Sequence, residues 1–286
     1  MINEGKAIEG LDLSDKNLSH TVFRGAKFVG VKFYSATMKS VEFLKCEIDE
    51  CDFEFVNGAG MIFINTSIKN SGFNTAHMPD CKFNSAEILN CVFYAAHLKN
   101  IDINDTKLIG SKFESSILDS ARFSSAELSE CNFRYSGLTD TKFYDSKFSR
   151  CDLSWVHLVS ASFEDSAFSS SSLLTTNLYK TKFSSVKFEN VSFCRVPHHS
   201  NEFLVCVFKD VSIEGELVQK PPTVLFNIWS IGITEKYMRI GCQRYTHLQW
   251  EEFDDDEIAS MSRDALEFWK VWKKALLEMC RAHKRS

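Results

Sequence analysis

Large apolar residues recur at every fifth position along most of the chain. From Leu13 to Ile213 the register runs without a shift, and 39 of its 41 positions hold Leu, Ile, Met or Phe. The exceptions are Gly58 and His198, after which the register resumes. A period of five matches neither the 3.6 residues of a helical turn nor the two of a strand, so it predicts a backbone that turns a corner once per repeat. Four corners close a coil of 20 residues, and the pattern therefore predicts an all-β solenoid of about ten coils.

The same register separates two kinds of apolar residue. Phe recurs every ten residues from Phe23 to Phe93, and the positions between are mostly Met, Ile or Leu. In a four-sided coil a spacing of ten residues relates opposite walls. The pattern predicts two opposite walls lined inside by stacked Phe and two lined by aliphatic side chains, which together fill the interior.

The position two residues before each large residue is small or compact. Seven of the ten Cys occupy this slot: Cys46, Cys51, Cys81, Cys91, Cys131, Cys151 and Cys206. Inward-facing cysteines spread in this way predict buried free thiols rather than disulfides, and that usage is typical of a reducing compartment.

Three of the five-residue units carry a resemblance to a known family. Ala26–Gly30 reads AKFVG, Ala126–Glu130 reads AELSE and Cys151–Trp155 reads CDLSW. These segments resemble the A(D/N)LXX unit of pentapeptide-repeat proteins, and the match covers about residues 11–215. The resemblance implies a right-handed quadrilateral β-helix. For function it implies less, since members range from proteins that resemble duplex DNA and bind type II topoisomerases to effectors.

The net charge, its distribution and the length of the apolar runs limit the classes of partner that we expect. The net charge is -5 and the basic residues are not clustered, so we expect no direct binding to nucleic acid. Residues 1–218 hold 28 acidic and 22 basic side chains, net -6, with both signs mixed. A duplex mimic needs a continuous negative potential, so inhibition or protection of a type II topoisomerase such as gyrase is the second hypothesis.

No apolar run is long enough to cross a bilayer, and the first ten residues do not resemble a secretory signal, so we expect a cytoplasmic protein with no membrane span.

Outward positions were assigned to the four walls by counting in steps of 20 residues. Five of the seven outward aromatic residues fall on the wall whose inward positions include Phe33, Phe53, Phe93, Phe133 and Leu153, which we call the aromatic wall. The five are Tyr34, Phe55, Tyr94, Tyr135 and Trp155. Exposed aromatic residues along one face predict an interface for another protein. The alternative is that they cover neighbouring coils or the C-terminal segment.

No motif in the chain predicts catalysis. The sequence has no glycine-rich phosphate loop, no GxSxG and no HExxH, and we expect no enzyme activity and no cofactor. Cys194, His198, His199 and Cys206 have the residue types of a zinc site, but their spacing matches no standard signature, so we expect no metal. Counting in steps of 20 residues places His77, His97 and His157 on one face of the rod. We interpret them as a column of neutral, exposed side chains.

The five-residue period ends at Pro221 and Pro222, which places a domain boundary near residue 219. We expect a β-helix over residues 1–218 and a C-terminal module over residues 219–286. Residues 223–229 and 233–240 read as two strands with Gly232 in the turn, Asp254–Glu257 reads as a helix start, and Ser262 reads as the N-cap of a terminal amphipathic helix.

The terminal helix carries an apolar stripe formed by Trp269, Trp272, Leu276 and Met279. A stripe of this kind must be covered by the last coil or by a second copy, so we predict a homodimer through residues 221–286. Capping of the solenoid, a different protein partner and contact with a membrane surface remain alternatives for this module. The sequence thus favours a non-catalytic protein-interaction scaffold that uses the aromatic wall and the C-terminal module.

Overall fold

The computed structural model describes residues 7–193, 202–204, 206–226 and 229–285. It is a parallel β-solenoid of about ten turns followed by a small α+β region, which confirms the fold class expected from the five-residue register. The two parts have separate hydrophobic cores, one inside the solenoid and one in the C-terminal region.

Two walls of the solenoid are long parallel sheets of three-residue strands. The eleven-stranded sheet consists of Ala7–Glu9, Lys27–Val29, Glu47–Asp49, Ser67–Lys69, Glu87–Leu89, Lys107–Ile109, Glu127–Ser129, Lys147–Ser149, Ala167–Ser169, Lys187–Glu189 and Val207–Lys209. The ten-stranded sheet consists of Val22–Arg24, Glu42–Leu44, Ile62–Ile64, Lys82–Asn84, Asp102–Asn104, Arg122–Ser124, Lys142–Tyr144, Ser162–Glu164, Lys182–Ser184 and Glu202–Leu204. The other two walls are joined from coil to coil mainly by single bridges, such as Asp12 to Lys32 and Asn17 to Thr37.

Every pairing within these walls joins residue i to residue i+20, so the coils stay in one register. Phe23 lies beside Phe43 and Phe63 beside Phe83. Inside the aromatic wall, six phenylalanines stack with ring centroids 4.6–4.9 Å apart: Phe33, Phe53, Phe73, Phe93, Phe113 and Phe133. These rings are at most 2% exposed. The predicted Phe ladders are therefore present, and the interior is filled by side chains.

The interruption at Gly58 is compensated by a neighbour. A Cβ atom at this position would lie 2.3 Å from the Sδ atom of Met61, because the Met61 side chain occupies the space that a large residue fills elsewhere. Met61 itself is fully buried. The coil therefore closes normally without a large residue in the register.

Each described corner of the solenoid has a residue in the left-handed region of φ. Among the non-glycine corner residues in the coils the values run from 47° at Asp145 to 63° at Trp155. An L-residue other than Gly, Asn or Asp pays roughly 1–2 kcal/mol for this conformation. Gly, Asn, Asp and Ser hold most corners, which the sequence analysis did not anticipate.

Hydroxyls and thiols in the small inward slot bond to the backbone. Thr66 donates to the carbonyl of Phe43 at 2.9 Å, and the Cys46 Sγ atom donates to the carbonyl of Phe23 at 3.4 Å. The inward cysteines are free thiols, as predicted, and all are buried except the half-buried Cys206. Burial raises the pKa of Cys51 to about 11 and that of Cys81 to about 12.

The solenoid ends in a small sheet of four strands: Ser172–Leu173, Ser192–Phe193, Val211–Ile213 and Glu216–Val218. The last two strands pair antiparallel. Glu214 and Gly215 connect them with φ of 51° and 79°, the signature of a two-residue hairpin turn. The hairpin turns the chain back at the end of the rod.

The C-terminal region contains four strands rather than the two predicted. Thr223–Phe226, Ser230–Ile233, Tyr237–Ile240 and Gln243–Thr246 form an antiparallel meander. Gly232 lies inside the second strand, where its backbone pairs with Val224 and Arg239, and not in a turn. Gly241 sits in the last turn at φ 57°, where a Cβ atom would approach Trp229 to 2.8 Å. The polar Gln243–Thr246 segment pairs as an edge strand, which its composition did not indicate.

Three helices follow the sheet. Helix α1 spans His247–Glu252, α2 spans Asp255–Met261 and α3 spans Ala265–Arg285. Asp254 caps α2 in a capping box with Glu257, so the acidic segment does begin a helix. Ser262 is not the N-cap of the terminal helix. It follows α2, and a turn through Asp264 separates it from α3.

An ion-pair network joins the solenoid to the C-terminal sheet. Glu214 contacts Arg239 and Arg244, both at 2.8 Å. Glu216 accepts from the Thr234 hydroxyl at 2.6 Å and from the Lys236 backbone N–H at 2.9 Å. The side chains of Glu214 and Glu216 are 7% and 6% exposed, so these contacts are largely shielded from solvent. The C-terminal region is thereby fixed to the last hairpin of the rod.

Candidate interaction surfaces

The structure places all five aromatic residues of the aromatic wall at the surface. Tyr34, Phe55, Tyr94, Tyr135 and Trp155 are each between 41% and 55% exposed. Their rings do not pack against the C-terminal region in any described contact. The exposed aromatic residues on other walls of the described rod are Tyr144 and Tyr179. The count in steps of 20 residues therefore located the positions correctly.

The aromatic residues form two pairs on adjacent coils. The rings of Tyr34 and Phe55 lie 5.4 Å apart edge to face, and those of Tyr135 and Trp155 lie 6.0 Å apart. The Arg134 guanidinium lies 5.4 Å from the Tyr135 ring centroid. Contacts of this kind keep the exposed rings in fixed positions, so little conformational entropy remains to be lost on binding.

Charged groups flank the second pair. Arg134 contacts Asp152 on the next coil at 3.3 Å. Partial burial alone would raise the pKa of Asp152, but hydrogen bonds from Ser154 and Arg134 outweigh it and lower that pKa. Asp152 is therefore a fixed negative charge beside Trp155 at neutral pH.

The four residues of the predicted C-terminal interface are not exposed together on the surface of α3. Trp269 is 3% and Leu276 1% exposed, and both pack inside the core of the C-terminal region, with Met279 partly buried against it. Trp272, at 40%, is the exposed member, beside Val271 at 69%. The apolar face of α3 is covered by the four-stranded sheet and the shorter helices, elements that the sequence analysis had only partly recognised. The prediction of a homodimer through residues 221–286 depends on this stripe. Because most of the stripe is buried in the core, it does not supply an exposed surface for a second copy.

The other candidate residues are described only in part. Cys194, His198 and His199 lie outside the described residues, and Cys206 bonds to the Phe183 carbonyl through its thiol. His77 and His97 stack at 4.8 Å. In the part of the chain that the structure describes, no three His, Cys, Asp or Glu side chains gather closely enough to hold a metal ion.

An apolar cavity of about 140 Å³ opens in the C-terminal region. Three tryptophans line it, Trp229, Trp250 and Trp269, together with aliphatic side chains and the thiol of Cys242. Its lining contains no carboxylate or imidazole, so no general acid or base faces this space.

Charges on the eleven-stranded wall pair along the rod axis. Lys27 contacts Glu47 at 3.1 Å and Lys147 contacts Glu127 at 3.8 Å, in both cases between residues i and i+20. Arg150 and Glu130 form a similar pair at 2.7 Å. Because opposite charges neutralise one another from coil to coil, this surface has no continuous negative strip.

No helix in the described ranges is long and apolar enough to cross a membrane.

Comparison with known proteins gives two family matches. The model described as pentapeptide repeats (8 copies) matches residues 96–134 and 136–173, and the model described as the SV2A/B/C luminal domain matches residues 4–93. No curated protein matches the chain.

Solved structures with a similar trace include two repeat proteins. Full-length QnrB1, described as a plasmid-mediated fluoroquinolone resistance protein, is 14% identical with a TM-score of 0.43, covering 66% of this chain and 93% of QnrB1. HetL from Nostoc sp. strain PCC 7120, described as a pentapeptide repeat protein involved in heterocyst differentiation regulation, is 14% identical with a TM-score of 0.30, covering 72% of this chain and 94% of HetL. At these values neither likeness carries a conclusion about what this chain binds.

Proposed function

Because the chain belongs to the pentapeptide-repeat family, whose coils close around their own side chains, we propose that it is a non-catalytic scaffold that binds another protein through its aromatic wall. The observation that carries this proposal is the row of five exposed aromatic residues on one wall, out of seven on the described rod. Tyr and Trp are the residue types that most often anchor protein interfaces.

The fold itself does not require these aromatic residues. Phe55, Tyr135 and Trp155 occupy corners with φ of 56°, 60° and 63°, where Asn, Asp or Gly would be less strained. Each also leaves about half of its side chain in water. Strain together with exposed apolar area lowers stability and solubility, so a benefit outside the fold accounts for their presence.

A scaffold function is also consistent with the filled interior. The Phe ladders leave no space for a substrate between the walls, and burial raises the pKa of the inward thiols Cys51, Cys81 and Cys91 and keeps them protonated. Binding must therefore use the outer surface. The C-terminal region closes the end of the rod through its ion pairs and adds the exposed pair Val271 and Trp272 as a smaller contact.

The experiment is a capture comparison with matched variants. A wall variant carries Tyr135→Ser and Trp155→Ser, and a control variant carries Tyr144→Ser and Tyr179→Ser, which remove equally exposed rings from other walls. We expect a host protein retained by the wild type and the control and lost from the wall variant, with the dissociation constant then measured on the purified pair. Equal retention by all three proteins contradicts the proposal.

Topoisomerase inhibition or protection remains the second hypothesis carried from the family resemblance. The neutralised charge columns argue against duplex mimicry, because a DNA-binding groove selects a continuous negative potential. A gyrase supercoiling assay with the purified protein tests it. Inhibition or drug protection at micromolar concentration would favour topoisomerase as the partner, and an unchanged reaction would exclude it at that concentration.

A further inference from the structure

The aromatic residues of the wall are spaced symmetrically along the rod. Numbering the coils from the one that holds Tyr34, the aromatic residues lie in coils 1, 2, 4, 6 and 7, as the i to i+20 bridges of this wall require. If the coil order is reversed about coil 4, the aromatic residues again lie in coils 1, 2, 4, 6 and 7. Phe55 exchanges with Tyr135 in the same column and Tyr94 with itself, whereas Tyr34 and Trp155 exchange coils but lie in neighbouring columns.

From this symmetry we propose that the occupant of the aromatic wall is the same wall of a second copy, packed antiparallel about a two-fold axis beside Tyr94. The inference rests on the proposed function, since it names the partner of the same surface. A two-fold axis that runs across the wall reverses the coil order and keeps each longitudinal column opposite itself. Coil n of one copy then faces coil 8-n of the other, and every aromatic coil meets an aromatic coil.

The charges on the wall agree with this register. Lys32 in coil 1 and Asp152 in coil 7 share one column, and Glu54 in coil 2 and Arg134 in coil 6 share the next. The two-fold axis brings each basic residue opposite an acidic residue of the other copy. Because Arg134 already contacts Asp152, the four residues would form a row of alternating sign across the interface.

The remaining polar positions of the two columns meet neutral partners. Lys112 faces Gly72, Glu114 faces Asn74, and Asp52 faces Asn132, so no like charges are opposed. Val92, in the coil that holds Tyr94, faces its own copy. Val92 and Tyr94, both uncharged, therefore lie on the axis itself, where the same residue of both copies must coexist.

A shift by one coil destroys the match in either direction. If coil n faced coil 7-n, Glu54 would meet Glu114 while Asp52 would meet Lys112, and if it faced coil 9-n, Asp52 would meet Asp152. Both shifts lose the aromatic pairing, and the second also places like charges opposite one another without a compensating pair. The wall thus specifies one register and rejects its neighbours.

The expected interface is small. Seven coils at ~4.8 Å each give a strip about 30 Å long and one wall wide, which is below the ~800 Å² per copy of a standard interface. We therefore expect a dimer with a dissociation constant on the order of micromolar. Such a dimer forms at high local concentration and leaves the wall available at low concentration.

The first test is a charge swap followed by sedimentation velocity from about 1 to about 100 µM. The full chain should move from monomer to dimer over this range. Glu54→Arg alone and Arg134→Glu alone each place like charges together twice, and each should weaken dimerisation at least about tenfold, whereas the double swap should restore it. A double variant as weak as the single variants overturns the proposal.

The second test fixes the geometry by cross-linking. In a Cys242→Ser background, Ala95→Cys places a thiol beside the axis, whereas Ser35→Cys places one in coil 1, far from its own copy. A short bismaleimide should join two chains of the first variant above the background level and not those of the second. Equal yields, or dimers with Ser35→Cys alone, overturn the antiparallel register.

The outcomes separate this inference from the proposed function. If all variants are monomeric and the wall still captures a different protein, the second copy is wrong as the occupant and the scaffold proposal stands. If the chain is monomeric and no capture depends on Tyr135 and Trp155, both fail. Dimerisation that survives both single charge swaps unchanged contradicts the wall as the dimer contact.

Discussion

Corner residues differ in how well they fit positive φ. Phe55 adopts φ 56° at an exposed corner, while Asn65 adopts 51° at another. We expect Phe55→Asn to leave the unfolding free energy unchanged or raise it by up to about 1 kcal/mol, because relief of backbone strain offsets the lost contact with Tyr34. The converse change, Asn65→Phe, should lower it. Chemical denaturation measures both, and a loss above about 1 kcal/mol for Phe55→Asn would show that the ring supports the fold.

Inward and outward residues should differ sharply in their contribution to stability. Phe123 is fully buried in a Phe stack, and its neighbour Arg122 points outward. Phe123→Ala should lower the unfolding free energy by about 3–5 kcal/mol, while Arg122→Ala should change it by less than about 0.5 kcal/mol. Similar losses in denaturant titrations of the two variants would contradict the assigned faces.

The described thiols should differ in reactivity. Burial raises the pKa of Cys81 and of Cys91 to about 12, so the reactive thiolate is scarce at neutral pH, whereas Cys242 is exposed. Native titration with a disulfide reagent should label Cys242 rapidly and the inward thiols only on unfolding. Loss of the fast phase in Cys242→Ser is the control, and rapid labelling of Cys81 would contradict a closed interior.

Residue-level properties of the rod could be predicted because the five-residue period sets which side chains point inward. The corner conformation was missed, although the Gly, Asn and Asp at these positions carried a signal for it. The role of Met61 beside Gly58 could not be foreseen, because it depends on how one side chain bends into a neighbouring slot.

At the scale of secondary-structure elements, the C-terminal region was the least predictable part. Its strands are four residues long and lack a repeat, and Gly232 resembles a turn although it pairs on both sides within a strand. The start of α2 was recognisable because the Asp254 capping box is local in sequence. The contacts of Glu214 with Arg239 and Arg244 span 25 and 30 residues, so no local sequence pattern predicts them.

The joint between the rod and the C-terminal sheet should depend on its shielded ion pairs. Arg244→Ala removes one of the two arginines at Glu214 and the arginine at Glu216 and should cost about 1.5–3 kcal/mol, because two shielded carboxylates each lose a charged hydrogen-bond partner. Arg150→Ala, which removes an exposed pair with Glu130, should cost less than about 1 kcal/mol. Tryptophan fluorescence during denaturation reports on the C-terminal region, and equal losses would contradict a structural role for the network.

Acid should destabilise the C-terminal region before the rod. Burial lowers the pKa of His247, and it also lowers the pKa of His283 near the end of α3. The unfolded chain, with a His pKa near ~6.5, then binds more protons, so stability is complete well above about pH 6.5, falls as the pH drops from there to the lowered folded values, and levels off below them. His247→Gln should flatten this fall in fluorescence-detected denaturation between about pH 7.5 and 5.5. An unchanged slope would exclude His247 as a source.

At the scale of the whole molecule, the exposed aromatic positions were predictable on the rod, and the burial of the terminal-helix stripe was not. A fixed coil length turns sequence separation into spatial position, so counting placed Tyr34, Phe55, Tyr94, Tyr135 and Trp155 on one wall. Most of the helical stripe lies in the C-terminal core, and its covering could not be predicted because a helix face indicates only that it is covered and not by which element. In this chain the covering elements are its own sheet and the two shorter helices.

The most direct test of the central claim is hydroxyl-radical footprinting of the aromatic wall. Oxidation of Tyr135 and Trp155 is compared between the dilute purified protein and the protein at high concentration in host extract, with Tyr144 and Tyr179 as equally exposed references on other walls. If the aromatic wall binds protein, oxidation of Tyr135 and Trp155 should be lower in the concentrated extract than in the dilute protein, while oxidation of the reference residues stays constant. Unchanged oxidation of both wall residues under all conditions would contradict it.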